Sequence, residues 1–182
     1  LADVHGEFLV PLVGSRTDRD GNPKSPQEFQ EGLTAEALRF LDLLLWQPRT
    51  FDLQKIEVLD VSSVLTVQLP RLGAYVIQKA LCSERRDEAD KRDKDLAYIY
   101  DVATLSHGRW EEIRDEIEEL RSTKSEWKSW IAKAGEILDD AFRAESGAGP
   151  EVVARVYEKA TTSVNPESVD RILSRFLREV NL

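Results

Sequence analysis

The order of apolar and polar positions divides the chain into a mixed front and a helical back. Over residues 1–13, Val4, Gly6, Phe8 and Val10 fall on one side of an extended chain, and Asp3, His5, Glu7 and Leu9 on the other. That alternation predicts a strand, and Pro11 puts it at a sheet edge or at the strand's end. Residues 14–32, rich in Gly, Pro, Ser and Asp, predict a loop. Leu38, Leu41, Leu44 and Leu45 lie at helical spacing, so a helix is expected over Leu33 to Trp46, stopped by Pro48. "FDLQKIEVLDV" and "SSVLTVQLP" predict two strands, with a hairpin turn near Asp60 to Ser63.

After Pro70 the spacing is helical throughout. Helices are expected over Leu72 to Cys82, Lys94 to Leu105 and Trp110 to Leu120, the last with Trp110, Ile113, Ile117 and Leu120 in one stripe. Ser125 opens another, with Trp127, Trp130, Ile131, Ala134, Ile137, Leu138 and Phe142 as its apolar positions. "ESGAGPE" is a break, and Pro150 and Pro166 suit the first turns of two further helices. No internal repeat is present. The expected fold class is α/β (α+β): a small mixed sheet followed by a mostly helical C-terminal region.

Composition narrows the function. With 182 residues the chain is long enough for a real core. A formal net charge of -9 repels phosphate backbones, so broad non-specific nucleic-acid binding is not expected of this chain alone. "FLVPLVG" and "LRFLDLLLW" fall short of the roughly 18 apolar residues of a membrane span. One cysteine, Cys82, excludes an intrachain disulfide and a Cys-rich zinc site, which fits the cytoplasm; its apolar surroundings make it a core filler. The first residue is Leu1, there is no methionine, and the opening reads like the middle of a strand, so residues are expected to precede it.

Several sites are tempting and weak. If Asp18, Asp20 and Gly21 are set on a calcium loop, the first and last ligand positions become Arg16 and Gln27, which leaves a solvated turn. His5 and Glu7 share a strand face, but one pair is a poor metal site. His107 falls near a helix end, where it can meet carbonyl groups. No nucleophile elbow, phosphate-binding loop or dinucleotide fingerprint occurs.

The strongest constellation is "VQLPRLGAYVIQKALCSERR", then "KRDKDLAYIYDV". A strand ends before a proline, a helix carries an internal lysine, arginines follow, and Lys94-Asp95 is expected to open the next helix. Together with "GEFLVPLVG" and "LRFLDLLLWQP" upstream, this order resembles nucleotidyltransferases of the polymerase-beta-like superfamily. It looks closest to bacterial uncharacterised nucleotidyltransferases and abortive-infection toxin relatives. The likeness covers roughly Val4 to Leu105, so residues 1–105 are expected to form the nucleotidyltransferase-like region and 106–182 a helical C-terminal region.

The resemblance implies transfer of a nucleoside monophosphate from a nucleoside triphosphate to an acceptor, with Mg2+. Glu7 would match the third, metal-near carboxylate that activates the attacking hydroxyl. Lys79 would match the phosphate-contacting lysine, and Asp95 the acid that orients it or the nucleotide. Arg85 or Arg86 would be a phosphate neighbour. The family's Gly-Ser turn and first two carboxylates have no counterpart: Gly14-Ser15 stands too close to Asp18 and Asp20 for the helical stretch that should separate them. Those residues are expected before Leu1; if they are lacking altogether, the chain is an inactive member of the fold that binds a protein partner. RNA, protein and small-molecule acceptors all stay open.

Overall fold

The period-two stretches at the front of the chain become strands. A computed structural model describes residues 8–11, 27–30, 33–52, 66–144, 147–160 and 162–182. Strands β1 (Phe8–Pro11), β2 (Gln27–Gln30) and β3 (Leu33–Leu38) form a mixed sheet in the order β1-β3-β2. β1 runs parallel to β3, with Phe8 opposite Ala35, and β2 runs antiparallel to it. Among the described residues β1, with Pro11 at its end, is an edge strand of this sheet, which suits a residue lacking a backbone donor.

Two expectations fail here. Leu33 to Trp46 is not one helix: it is β3 followed by α1 (Leu41–Leu44), a single turn. Leu33 to Leu38 fits period two as well as period 3.6, and pairing on both sides decides for the strand. The buried leucines of α1 are Leu41 and Leu43, not the stripe that a longer helix would show. β2 lies in the stretch expected to be loop; a polar strand gains its order from the ladder rather than from its own propensity.

β4 (Arg49–Asp52) pairs antiparallel with β5 (Thr66–Leu69), Arg49 opposite Leu69 and Asp52 opposite Thr66. The described ends of the two expected strands, 51–52 and 66–69, therefore pair, while residues 53–65, with the expected turn at Asp60 to Ser63, lie outside the described residues. The architecture is α+β.

Seven residues after Pro70 the chain is deep in the core. α2 (Leu72–Glu84) buries Gly73, Ala74, Val76, Ile77, Ala80, Leu81 and Cys82, almost all round its circumference, as a central helix does. It packs on α1, α3 (Ala89–Leu105), α4 (Trp110–Thr123) and α5 (Ser125–Phe142). α6 (Gly149–Lys159) lies on α3, and α7 (Pro166–Glu179) on α6, α3, α4 and α5. Pro150 and Pro166 do stand in the first turns of their helices, where the missing N–H costs nothing. The aromatic stripe of α5 packs as expected: Trp127, Leu138 and Phe142 are buried, and Trp130 and Ile137 partly so.

α3 starts at Ala89, a full turn before the expected Lys94. Its first turns are charged, and two of their carboxylates are held from α6: Lys159 Nζ meets Asp90 Oδ1 at 2.9 Å and Arg155 Nη2 meets Asp93 Oδ2 at 2.8 Å. Asp90 also stands at the positive end of the helix dipole. Lys94 and Asp95 consequently sit in the second turn of α3.

Candidate active site

α2 and α3 form a hairpin closed by residues 85–88, and their facing sides carry the polar cluster. Tyr75 and Lys79, four apart, share one face of α2; Asp95 and Tyr98, three apart, share one face of α3. Lys79 Nζ lies 2.8 Å from Asp95 Oδ1, and Arg86 Nε donates to Asp95 Oδ2 at 3.1 Å. The Asp95 side chain is 3% exposed, those of Lys79 and Arg86 16% and 30%. One buried carboxylate thus holds two cations that still reach solvent, and the trio carries one net positive charge.

The ammonium of Lys79 is also framed by aromatics, 5.4 Å from the Tyr75 ring centroid and 5.0 Å from that of Tyr98. Such contacts fix the lysine without neutralising it. Burial, Tyr98 and the carboxylates of Asp95 and Asp101 push the Tyr75 phenol up to about 12. It stays protonated at neutral pH and serves as a wall, not a base.

The sequence-derived candidates separate. Lys79, Asp95 and Arg86 converge. Arg85 does not join them: its guanidinium lies over the Phe40 ring, 5.6 Å from the centroid. Glu7, along with His5, Gly14, Ser15, Asp18 and Asp20, lies outside the described residues. Among the described residues no three His, Cys, Asp or Glu side chains are grouped as a metal would need. Asp95 is already engaged through both oxygens, so the described residues alone do not fit a magnesium site. Cys82 is buried, with Gln78 Nε2 3.1 Å from its sulfur. His107 is exposed in a short 3-10 turn (His107–Arg109), its ring against Trp110.

Sequence reasoning missed a second buried charge. Glu116 of α4 accepts from the backbone N–H of Gly73 at 2.8 Å and from Arg49 Nη2 at 2.6 Å, with Arg71 Nε at 3.4 Å. Arg71, the N-cap residue of α2, makes no side-chain cap of its own, so Glu116 supplies the acceptor from another helix. Gly73 permits the approach, since a Cβ there would stand 3.0 Å from Glu116 Cβ and 3.2 Å from the Ile113 carbonyl. The only hint in the sequence is a glutamate on the apolar stripe of α4, one residue before Ile117.

Two further observations bound the molecule. Among the described residues no helix is long and apolar enough to cross a membrane. No curated protein and no solved structure matches the chain. The nucleotidyltransferase family profile matches residues 3–122, a span that holds the strands, α2, α3 and nearly all of α4. That span is well over half of the sequence and contains the whole Lys79–Asp95–Arg86 cluster, and the chain belongs to the nucleotidyltransferase family.

Proposed function

We propose that the chain transfers a nucleoside monophosphate from a nucleoside triphosphate to an acceptor hydroxyl, with Lys79 as the cation on the triphosphate. The supporting observation is the Lys79–Asp95–Arg86 cluster inside the matched span. Pyrophosphate leaves with growing negative charge, and a cation already fixed in place stabilises that charge with little reorganisation. Asp95 orients Lys79, and Arg86 stands next to it as a second phosphate contact. Arg85, directed at Phe40, is the weaker candidate. Glu7 is assigned to the magnesium and to activation of the acceptor, as the family resemblance implies. Residues 1–105 carry the chemistry in this reading, and residues 106–182 form the appended helical region.

The test is label transfer from each radioactive nucleoside triphosphate, with magnesium present and variants matched by circular dichroism. Lys79→Ala should lower the rate roughly a hundredfold, the effect of losing about 3 kcal/mol at the transition state. Lys79→Arg should recover only part of it, because a planar guanidinium does not replace a compact ammonium. Equal rates for wild type and Lys79→Ala would remove Lys79 from the mechanism. Absence of both transfer and nucleotide binding in the full-length wild type would leave the partner-binding reading.

A further inference from the structure

Tyr75 and Tyr98 do more than frame Lys79. Both also line a groove of about 210 Å³ between α2 and α3, floored by Leu72 and Val102 and walled by Leu105. Leu105 is 87% exposed and Tyr98 41% exposed, two large apolar side chains two turns apart on the same face of α3. Asp101, whose Oδ1 accepts from the Tyr157 hydroxyl, also lines it. We propose that this groove is the nucleoside subsite of the transfer reaction, with the base stacked on Tyr98 and Tyr75; the assignment rests on Lys79 holding the phosphates.

Three observations carry it. The groove is too small for a whole drug-sized ligand, which takes about 300–1,000 Å³, but suits a single flat ring system. Its lining is mainly apolar and aromatic, which recognises a π-face; the one cation on it, Arg109, is held by Glu112. Its distance is right: Lys79 Nζ is 5.0 Å from the Tyr98 centroid, and a stacked base centroid stands about 5 Å from a ring. A base on the tyrosines therefore lies within about 10 Å of the ammonium, a gap for the sugar and the first phosphate to bridge.

The recess on the other side of Tyr98 is the competitor. It lies between α3 and α6, beside Val156 and Ala160, and its continuation includes Asp90 and Asp93. Asp90 is paired there with Lys159 and Asp93 with Arg155, so what separates the two recesses is the aromatic wall: only one of the two tyrosines that hold Lys79 reaches this side.

The experiment titrates the chain by calorimetry, in magnesium buffer, with ATP, GTP, CTP, UTP and inorganic tripolyphosphate. Tyr98→Ala should weaken the four nucleotides roughly tenfold more than it weakens tripolyphosphate, which loses only the contact that Tyr98 gives Lys79. Tyr98→Phe keeps the ring and should stay within about threefold of wild type. Leu105→Ser, at a position too exposed to affect folding, should weaken the nucleotides about fivefold and tripolyphosphate not at all. Lys79→Ala should weaken all five ligands. If Tyr98→Ala and Leu105→Ser bind nucleotides like wild type while Lys79→Ala loses them, the groove assignment is overturned and the reading of Lys79 stands. Nucleotide binding lost in Ala160→Trp would move the base to the α6 side and overturn the groove as well. A wild-type chain that binds none of the five ligands overturns both.

Discussion

A carboxylate buried to 3% with two partly exposed cations is asymmetric towards mutation. Removing Lys79 leaves Asp95 with Arg86, whereas removing Asp95 leaves two cations that can turn to water. Neither change strips a fully buried charge of every partner, so the stability cost stays below the 3–5 kcal/mol of breaking a wholly buried pair. That is why activity, not stability, is the informative readout at Lys79. Tyr75 offers a second one through pH. Its folded-state phenol is raised to about 12, by burial first and then by Tyr98, Asp95 and Asp101, against an ordinary value near 10. The folded chain then holds the proton more tightly than the unfolded one. Stability is complete below pH 10 and falls as pH climbs from about 10 through about 12. Tyr75→Phe should lose part of that alkaline fall in urea midpoints compared at about pH 9 and about pH 11. Only part, since burial and Asp101 raise Tyr157 in the same direction. Identical alkaline losses in wild type and Tyr75→Phe would contradict the assignment.

Among the elements, α2 depends most on its neighbours. Its N-terminus lacks a cap from its own sequence and takes Glu116 from α4, which also collects Arg49 from β4. Three elements therefore meet at one buried carboxylate, within reach of the helix that carries Lys79. Glu116→Ala removes the cap and leaves Arg71, itself only 15% exposed, without this partner. Arg71 keeps Glu119 at 2.8 Å and Arg49 keeps Glu112, so the cost should be about 2 kcal/mol in urea unfolding. Glu116→Gln keeps an acceptor for the Gly73 N–H and loses the charge, so about half of that loss is expected. Equal losses for the two variants would show that the cap hydrogen bond contributes nothing.

Over the whole molecule, one continuous apolar core joins α1 to α7, from Leu43 through Ile77, Ile99, Ile117 and Leu138 to Leu177. The proposed boundary at residue 105 is thus a division of chemistry and not of folding: α3 before it packs on α6 and α7 after it. Far-UV circular dichroism and tryptophan fluorescence should report a single coincident thermal transition. Trp46, Trp110, Trp127 and Trp130 span α1's end, α4 and α5, so separated transitions would reveal independent units. Phe176 on α7 is wholly buried, edge-on to Trp110 at 5.5 Å. Phe176→Ala should cost about 3–5 kcal/mol and shift both signals together.

Local chemistry along the chain was enough to determine that helices follow Pro70, and where most of them start. Their stripes run through several turns, so α4 and α5 begin where their sequences say, and prolines mark the starts of α6 and α7. It also determined that Lys79 and Asp95 belong to neighbouring helices, because a short charged connection leaves α2 and α3 nowhere else to lie. Short elements were another matter. Leu33 to Leu38 satisfies two periodicities, and only pairing with β1 and β2 made it a strand. The start of α3 depended on Arg155 and Lys159, more than 60 residues away, gripping its first carboxylates. Arg85 and Arg86 are adjacent and chemically alike; the turn ending α2 sends one to Asp95 and the other to Phe40. Glu116 shows in sequence only as an acid on the apolar stripe of α4, which names no partner. Its role required Gly73 and Arg49 to arrive from elsewhere, and no local pattern encodes a partner brought by another element.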